Sequence, residues 1–159
     1  MIAAWLATLW IWKIWGKQSM VSNKPILLVE MRQDSTPSAW DILNELGIAG
    51  RVVRRSNAGE ALAYLQETRV EKPTVIFLDG FEPDENGLDL IRTFKYSERF
   101  GSIPVIPLAA TANDPAAIDE CYRIGVAGYI VKSSNRSELL EAVRTVHQYW
   151  TLSESPVYT

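Results

Sequence analysis

Five short, mostly apolar runs alternate with stretches of helical spacing between residues 25 and 150, and this alternation constrains the fold more than any other feature of the chain. Such runs are typical of strands buried on both faces of a parallel sheet. Strict β-α alternation predicts an α/β domain with helices on both faces of the sheet, joined by right-handed crossovers. The five runs are residues 25–29, 51–55, 74–79, 103–108 and 128–131.

Polar residues and a proline in front of the helical stretches indicate where helices begin. Pro115 suits the first turn of the fourth helix, because proline lacks the backbone donor that a first turn leaves unused. The third helix is expected to follow Gly87. The predicted caps are one of residues 34–38 for the first helix, Ser56 or Asn57 for the second, Asn113 or Asp114 for the fourth and Asn135 for the fifth.

Glu30, Asp79, residues 109–111 and Lys132 stand where predicted strands end. Parallel strands share one carboxyl edge, so the side chains that leave these ends line one crevice. We interpret the chain as a flavodoxin-like domain of five βα units with strand order 2-1-3-4-5. In that order Glu30 stands beside Asp79, and Lys132 reaches over from the far side. An unpaired acid inside a strand is costly to desolvate, whereas at the strand end Asp79 is placed to react or to bind.

The residue types at this edge point to one chemistry. Two carboxylates suggest a hard cation such as Mg²⁺, which takes oxygen ligands. The ammonium of Lys132 can neutralise anionic oxygens on a group transferred to Asp79. A carboxylate beside a divalent cation, with a lysine opposite, suits the formation of an aspartyl phosphate.

Composition argues against several other classes of function. With a net charge of −3 and 47% hydrophobic residues, the chain is a mildly acidic folded domain, and no nucleic-acid partner is expected. The basic groups within 51–55 and 69–72 are too scattered for a phosphate-binding face. Cys121 is the single cysteine, which fits a reducing cytoplasm and predicts a packed thiol. With His147 as the single histidine, the chain lacks ligands for a zinc site.

Residues 1–20 differ in composition from the rest and are expected to lie outside the fold core. Four of the six tryptophans fall here, together with Lys13 and Lys17. The apolar stretch is too short to span a bilayer, which takes about 20 residues. Two interpretations are open: translation starts at Met20, or the extension lies in a membrane interface. The folded domain is predicted over residues 21–150, with a tail at 151–159.

The chain resembles the receiver domain of two-component response regulators. The resemblance covers residues 25–150, and its motifs occur in the expected order and spacing. A narrower resemblance, at residues 132–135 and at Tyr149-Trp150, is to the small stand-alone regulators that partner bacterial phytochromes. The main motifs are Ile26-Leu27-Leu28-Val29-Glu30, Phe77-Leu78-Asp79 with Pro83 and Gly87, Ile103-Pro104-Val105-Ile106 and Gly128-Tyr129-Ile130-Val131-Lys132.

The resemblance implies a role for each residue at the edge. Asp79 would accept a phosphoryl group from the phosphohistidine of a sensor kinase, and Lys132 would bind the phosphoryl oxygens. Mg²⁺ would be held by Glu30, Asp79 and the backbone carbonyl of Phe81. The remaining implied residues are the phosphoryl-binding backbone of Ala110 and the switch positions Ala109 and Tyr129.

Two positions depart from the family pattern. Met31 stands where a second acid belongs, so the metal loses a charged ligand and Mg²⁺ is expected to bind weakly. Asp34 is a candidate substitute, but a helix cap is the preferred interpretation. Ala109 stands where a Thr or Ser hydroxyl normally contacts the phosphoryl group. Thr111 could replace that hydroxyl only through a local bulge.

The predicted function is that of a cytoplasmic single-domain response regulator, not an enzyme, that signals through protein contacts and carries no DNA-binding module. Its partners would be a sensor histidine kinase, phytochrome-like in the narrower resemblance, and a downstream protein. Tyr149 and Trp150 leave a homodimer open, with packing on the domain itself preferred. Membrane contact is expected only if the N-terminal extension is present.

Two alternatives from other classes remain. In the first, the chain is a phosphorylation-independent pseudo-receiver, an interaction module in which Met31 and Ala109 record a lost switch. In the second, it is a phosphatase that uses Asp79 as nucleophile. Such phosphatases usually need an acid two residues after the nucleophile, where this chain has Phe81.

Overall fold

Five parallel strands and five α-helices alternate along the part of the chain that the structure, a computed structural model, describes: residues 24–111, 114–132 and 135–153. The strands are β1 (Ile26–Glu30), β2 (Val52–Arg55), β3 (Ile76–Phe81), β4 (Val105–Ala109) and β5 (Ile130–Val131). The helices are α1 (Ala39–Glu45), α2 (Ala58–Gln66), α3 (Glu85–Lys95), α4 (Pro115–Ile124) and α5 (Arg136–Leu152), with a 3₁₀ turn at Ala49–Arg51.

The strand order is β2-β1-β3-β4-β5, which confirms the predicted flavodoxin-like topology. The register pairs Glu30 with Asp79 across β1 and β3, and Asp79 with Leu108 across β3 and β4. Lys132 directly follows β5, and its amide donates to the carbonyl of Ala109 at 2.7 Å. The ends of β1, β3, β4 and β5 therefore meet at one edge, as the sequence predicts.

Two apolar clusters cover the two faces of the sheet. Successive strand residues point to opposite faces, so Leu27 and Val29 enter one cluster while Ile26 and Leu28 enter the other. The first cluster is completed by α2, α3 and α4, and the second by α1 and α5. With both faces covered, the open carboxyl edge is the place where polar side chains can gather.

Side-chain caps set the helix starts. Asn57, Asp114 and Asn135 each accept a hydrogen bond from a backbone amide of the helix that follows, which confirms three predicted caps. The interpretation of Asp34 as a cap is wrong: Ser38 caps α1, and Asp34 pairs with Arg32. Asn113 lies outside the described residues.

The predicted start of α3 is also wrong. The helix begins at Glu85, two residues before Gly87 rather than after it. Asp84 is the reason, because its carboxylate accepts a hydrogen bond from the Gly87 amide at 2.8 Å and so caps the helix upstream of the glycine.

Cys121 confirms its predicted packing role, since it is buried in the cluster formed with α2 and α3. Burial raises the pKa of its thiol, which keeps it protonated at neutral pH. No helix in the described ranges is long and apolar enough to cross a bilayer. The predictions for residues 1–20 lie outside the described residues, and the predicted tail at 151–159 begins inside α5.

Candidate functional site

Asp79 lies at the carboxyl end of β3 with its carboxylate almost fully enclosed. Its side chain is 3% exposed and forms an ion pair with Lys132 through Oδ1. The hydroxyl of Ser35 donates to the same oxygen at 3.1 Å. The backbone amide of Ala39, the first residue of α1, donates to Oδ2 at 3.0 Å. Both carboxylate oxygens are therefore held, one of them by the start of a helix.

Lys132 is as enclosed as its partner, with a fully buried side chain. Besides Asp79, its Nζ donates to Ser35 Oγ at 2.6 Å and to the carbonyl of Pro37 at 2.7 Å. A lysine ammonium has three protons to donate, so these three acceptors use all of them. The structure thus confirms that Asp79 and Lys132 meet, and it places the loop between β1 and α1 on top of the pair.

Glu30 stands beside Asp79 in the backbone register, but its carboxylate is bound elsewhere. Arg54 of β2 binds both of its oxygens, at 3.1 and 2.8 Å. The guanidinium of Arg54 also lies over the ring of Trp40, 4.3 Å from its centroid. A bidentate, stacked arginine holds a carboxylate in a defined position. In this conformation the Glu30 carboxylate is bound to Arg54 on β2, the strand on the opposite side of β1 from β3.

The departure at Met31 is accompanied by a basic residue one position later. Arg32 forms ion pairs with Asp34 and with Glu82, and the hydrogen bond from Arg32 lowers the pKa of Asp34. Arg32 also lies close to Gly80, where an added Cβ would come within 2.9 Å of the Arg32 Cβ. Gly80 has φ +73° and marks the register shift between β3 and β4. The bulge at this edge is therefore in β3.

The end of β4 offers no hydroxyl at the predicted switch position. Ala109 is buried, while Ala110 and Thr111 are exposed beyond the strand. The bulge that would bring Thr111 inward is absent from the described part of β4, because the shift falls in the partner strand. The predicted phosphoryl-binding role of the Ala110 backbone stays a prediction.

Tyr129, the predicted switch aromatic, is half-buried against Phe81. The two rings pack edge to face, with centroids 6.0 Å apart and planes at 82°. Phe81 itself is fully buried in the cluster that α2, α3 and α4 complete. The ring of Tyr129 therefore touches the strand that carries Asp79, two residues beyond it, which is a position from which it can respond to changes at the site.

Ser35, Pro37 and Ala39 are site residues that sequence reasoning missed. They lie in or directly after the loop that follows β1, and they contact Asp79 or Lys132 across 44, 95 and 40 positions of sequence, respectively. The sequence does offer one signal, a serine and a proline in the mostly polar stretch of residues 31–38 after the first strand. That signal does not say which of several hydroxyls in the loop turns inward.

The oxygen atoms at the edge are ligands of the type that a hard cation prefers, but there are few of them. Glu30, Asp79 and the Phe81 carbonyl are oxygen ligands of the kind that Mg²⁺ takes, and Met31 adds only a soft thioether. Among the described residues no group of three or more His, Cys, Asp or Glu side chains could hold a metal. The residues present thus fit a divalent cation, but they offer it one negative charge fewer than a site with two adjacent acids at the end of β1 would.

His147, on α5, contributes nothing to this constellation. Burial, with a smaller effect of Arg51, lowers its pKa, so the ring is neutral at pH 7. Its Nδ1 lies 3.4 Å from the Thr151 hydroxyl on the next turn of the helix. These surroundings are those of a packed helix residue.

Comparison with known proteins assigns the family. The family model of the response regulator receiver domain matches residues 26–144. The chain belongs to the response regulator receiver domain family. Response regulator Rcp1 of Synechocystis is 27% identical to this receiver domain over 135 residues, which make up 81% of this chain and 91% of Rcp1.

Solved receiver structures share the fold. The phosphorylated cyanobacterial phytochrome response regulator RcpA has a TM-score of 0.68 at 26% identity, covering 84% of this chain and 99% of RcpA. The receiver domain of the Pseudomonas aeruginosa sensor histidine kinase PA1611, solved with a magnesium ion in its active-site cleft, has a TM-score of 0.60 at 25% identity. It covers 82% of this chain and 98% of that domain. This receiver domain thus belongs with signalling proteins that interact with sensor histidine kinases, and not with typical enzymes.

Proposed function

We propose that this chain is a single-domain response regulator in which Asp79 accepts a phosphoryl group from a sensor histidine kinase. The observation that carries the proposal is the ion pair between Asp79 and Lys132, both buried, at the carboxyl edge of a parallel sheet. The pair is buried, it lies at the edge where parallel sheets bind ligands, and the chain belongs to the receiver family. These three facts favour a chemical role for the pair over that of ordinary surface charges.

The residues present support the transfer of a phosphoryl group from a phosphohistidine to Asp79. A carboxylate oxygen of Asp79 attacks the phosphorus, forming a P–O bond while the P–N bond of the phosphohistidine breaks and its electron pair returns to the imidazole. The carboxylate loses its own negative charge when it becomes an acyl phosphate, and the phosphoryl oxygens carry the negative charge instead. Lys132 is close enough to bind those oxygens, and such charge-assisted hydrogen bonds are stronger than neutral ones.

A divalent cation completes the proposal. We assign its ligands to Glu30, Asp79 and the backbone carbonyl of Phe81, and when bound it would neutralise charge on the transferred group. The PA1611 receiver domain, with its magnesium ion, supports the assignment by similarity. Because Met31 supplies no charge and Arg54 holds Glu30, we expect weak binding of Mg²⁺.

The partners follow the same similarity. Rcp1 and RcpA, the latter a phytochrome response regulator, support a phytochrome-type kinase as the phosphodonor. The output would be a contact with a downstream protein.

A homodimer also belongs to the proposal. Tyr149 is 62% and Leu152 is 82% exposed at the end of α5, while Trp150 packs partly on the domain.

One experiment tests the acceptor role. The full chain is incubated with acetyl phosphate and Mg²⁺, and its intact mass is followed over time. We expect one phosphate-sized mass gain in the wild type and none in Asp79→Asn. Met31→Asp, which restores the second acid, should reach half of its maximal rate at a lower Mg²⁺ concentration. The same mass gain in Asp79→Asn as in the wild type would overturn the assignment of Asp79.

A second candidate function is favoured by a specific observation. Asp79 is enclosed, Glu30 is bound to Arg54, and Ala109 has no hydroxyl, as expected of a phosphorylation-independent interaction module. In that case the wild type gains no mass at any Mg²⁺ concentration. The phosphatase alternative has little support, because the residue two positions after Asp79 is the buried, apolar Phe81. Turnover of a phosphate monoester would be needed to revive it.

A further inference from the structure

The hydroxyl of Ser35 lies between the two charged groups of the site. It donates to Asp79 Oδ1 at 3.1 Å and accepts from Lys132 Nζ at 2.6 Å. A serine hydroxyl has one proton and two lone pairs, so both contacts are satisfied at once. Ser35 is the only residue among those described whose side chain hydrogen-bonds to both members of the ion pair.

We propose that Ser35 is a positioning residue that couples the charge on Asp79 to the loop of residues 31–38. It takes the place of the hydroxyl that β4 lacks at Ala109. The inference rests on the proposed function, because it names the residue through which phosphorylation of Asp79 would be felt. It moves the point of coupling from the end of β4 to the loop after β1.

The donor count at Lys132 explains why the loop must respond. All three ammonium protons are used in the resting structure, two of them by the loop at Ser35 and at the Pro37 carbonyl. A phosphoryl group on Asp79 brings further anionic oxygens that attract the same protons. The proton that Lys132 now gives to Asp79 can turn to one phosphoryl oxygen, but Lys132 can bind a second one only by releasing an acceptor in the loop. The Ser35 proton is then free to turn from the esterified Asp79 to a phosphoryl oxygen.

The loop passes this change directly into α1. Ala39, the first residue of the helix, donates its amide to Asp79 Oδ2, so the helix start and the loop are attached to the same carboxylate. Trp40 follows, stacked on the Arg54 guanidinium that binds Glu30. A shift of loop 31–38 is therefore expected to move the first turn of α1 and its contact with β2.

A merely structural role for Ser35 makes a different prediction. If the hydroxyl only satisfied a buried polar group, its loss would cost the same whatever the charge on residue 79. If it couples, its loss should matter only while Asp79 is charged. A double-mutant cycle measures this difference, because residues of one hydrogen-bond network are not additive.

The test is residue-resolved amide exchange of Ala39, followed by NMR in the full-length protein. Wild type, Ser35→Ala, Asp79→Asn and the double variant are compared without phosphodonor. In the wild-type background we expect Ser35→Ala to speed exchange of the Ala39 amide about fivefold to tenfold, the effect of one lost hydrogen bond on local opening. In the Asp79→Asn background the same change should alter the rate by less than about twofold.

Matched controls keep the outcome specific. Ser35→Thr keeps a hydroxyl and should restore the wild-type rate. Thr36→Ala removes an exposed hydroxyl that donates only to the Asp34 carbonyl in the same loop, and it should have no effect. If Asp79→Asn does not fold, Asp79→Ser takes its place in the cycle. Equal effects of Ser35→Ala in both backgrounds, or no effect in either, would overturn the proposal.

Failure of this inference can be told from failure of the proposed function. If the wild type takes no phosphate, the phosphorylation proposal fails, while the cycle at Ser35 and Asp79 still decides whether the two residues are coupled. If the wild type is phosphorylated and the cycle is additive, the function stands and the role of Ser35 does not.

Discussion

At the scale of single residues, the site is organised by one buried ion pair. Removing two charges from water is costly, and Asp79 and Lys132 recover that cost through their mutual attraction and through hydrogen bonds from Ser35, from Ala39 and to Pro37. Among the described residues no buried side-chain nitrogen or oxygen lacks a partner. The pair is therefore a satisfied resting state that one added charge can unbalance.

The first prediction concerns the cost of leaving Asp79 without its cation. Lys132→Met removes the charge and keeps the length of the side chain, and it should lower the free energy of unfolding by about 3 kcal/mol because a buried carboxylate stays unpaired. Urea denaturation measures the change. Arg136→Met is the matched control, because it breaks an exposed ion pair with Glu45 and should cost about 1 kcal/mol or less.

The double variant separates charge from packing. Adding Asp79→Asn to Lys132→Met removes the stranded charge, so part of the lost stability should return. If Lys132→Met costs no more than Arg136→Met, or if the double variant is less stable than Lys132→Met, the pair does not hold the site together electrostatically.

At the scale of helices and strands, local sequence signals predicted the architecture, whereas the details depend on tertiary contacts. The alternation of apolar runs predicted all five strands and a parallel sheet, because strands buried on both faces are typical of such sheets. The strand order followed from the interpretation as a flavodoxin-like topology, which the structure confirms. The start of α3 was mispredicted, since the cap at Asp84 lies upstream of the glycine that looked like a boundary. Boundaries depend on single capping contacts, which a sequence pattern states only loosely.

The candidate site divides in the same way. Asp79, Glu30 and Lys132 were found because strand ends share an edge, and that follows from topology. The contacts of Ser35 and the capture of Glu30 by Arg54 join residues far apart in sequence, through side-chain orientations that no periodicity encodes. Thus the positions of strand-end residues were predictable, while the partners of their side chains were not.

The element-scale prediction concerns Gly87, inside the first turn of α3. A Cβ there would lie 2.0 Å from the carbonyl oxygen of Glu82 and 3.0 Å from the ring of Phe81, so β3 and α3 approach too closely for alanine. Gly87→Ala should lower the free energy of unfolding by about 2 kcal/mol or more, although alanine is normally the better helix former. Urea denaturation checks the value.

Gly50 gives the matched control for that substitution. An added Cβ at Gly50, in the 3₁₀ turn before β2, meets no atom within 4 Å. Gly50→Ala should therefore change stability by no more than about 0.5 kcal/mol. If the two substitutions prove equally mild, the connection between β3 and α3 is less tightly packed than the structure indicates, and the position of the Phe81 backbone at the site is less fixed.

At the scale of the whole molecule, the sheet separates the chemistry from the packing. The two clusters that stabilise the domain lie on its faces, and the charged groups that carry the proposed function lie at its carboxyl edge. Loop 31–38 and α1 connect the two, because α1 packs Ile42 and Leu43 into one cluster while Ala39 holds Asp79. A change at the edge can thus reach one face of the domain through a single helix.

The last prediction concerns residues 1–19. The described clusters draw on β1 through α5, so the domain is expected to fold without the Trp-rich extension. Deleting residues 1–19 should change the free energy of unfolding by no more than about 0.5 kcal/mol, as for a change outside the core. Urea denaturation followed by circular dichroism measures this without relying on the deleted tryptophans. A loss of several kcal/mol would mean that the extension contributes to the stability of the domain. Sedimentation with anionic vesicles supplies the complementary measurement: if the extension binds a membrane interface, the full chain should sediment with the vesicles and the deleted form should stay in solution.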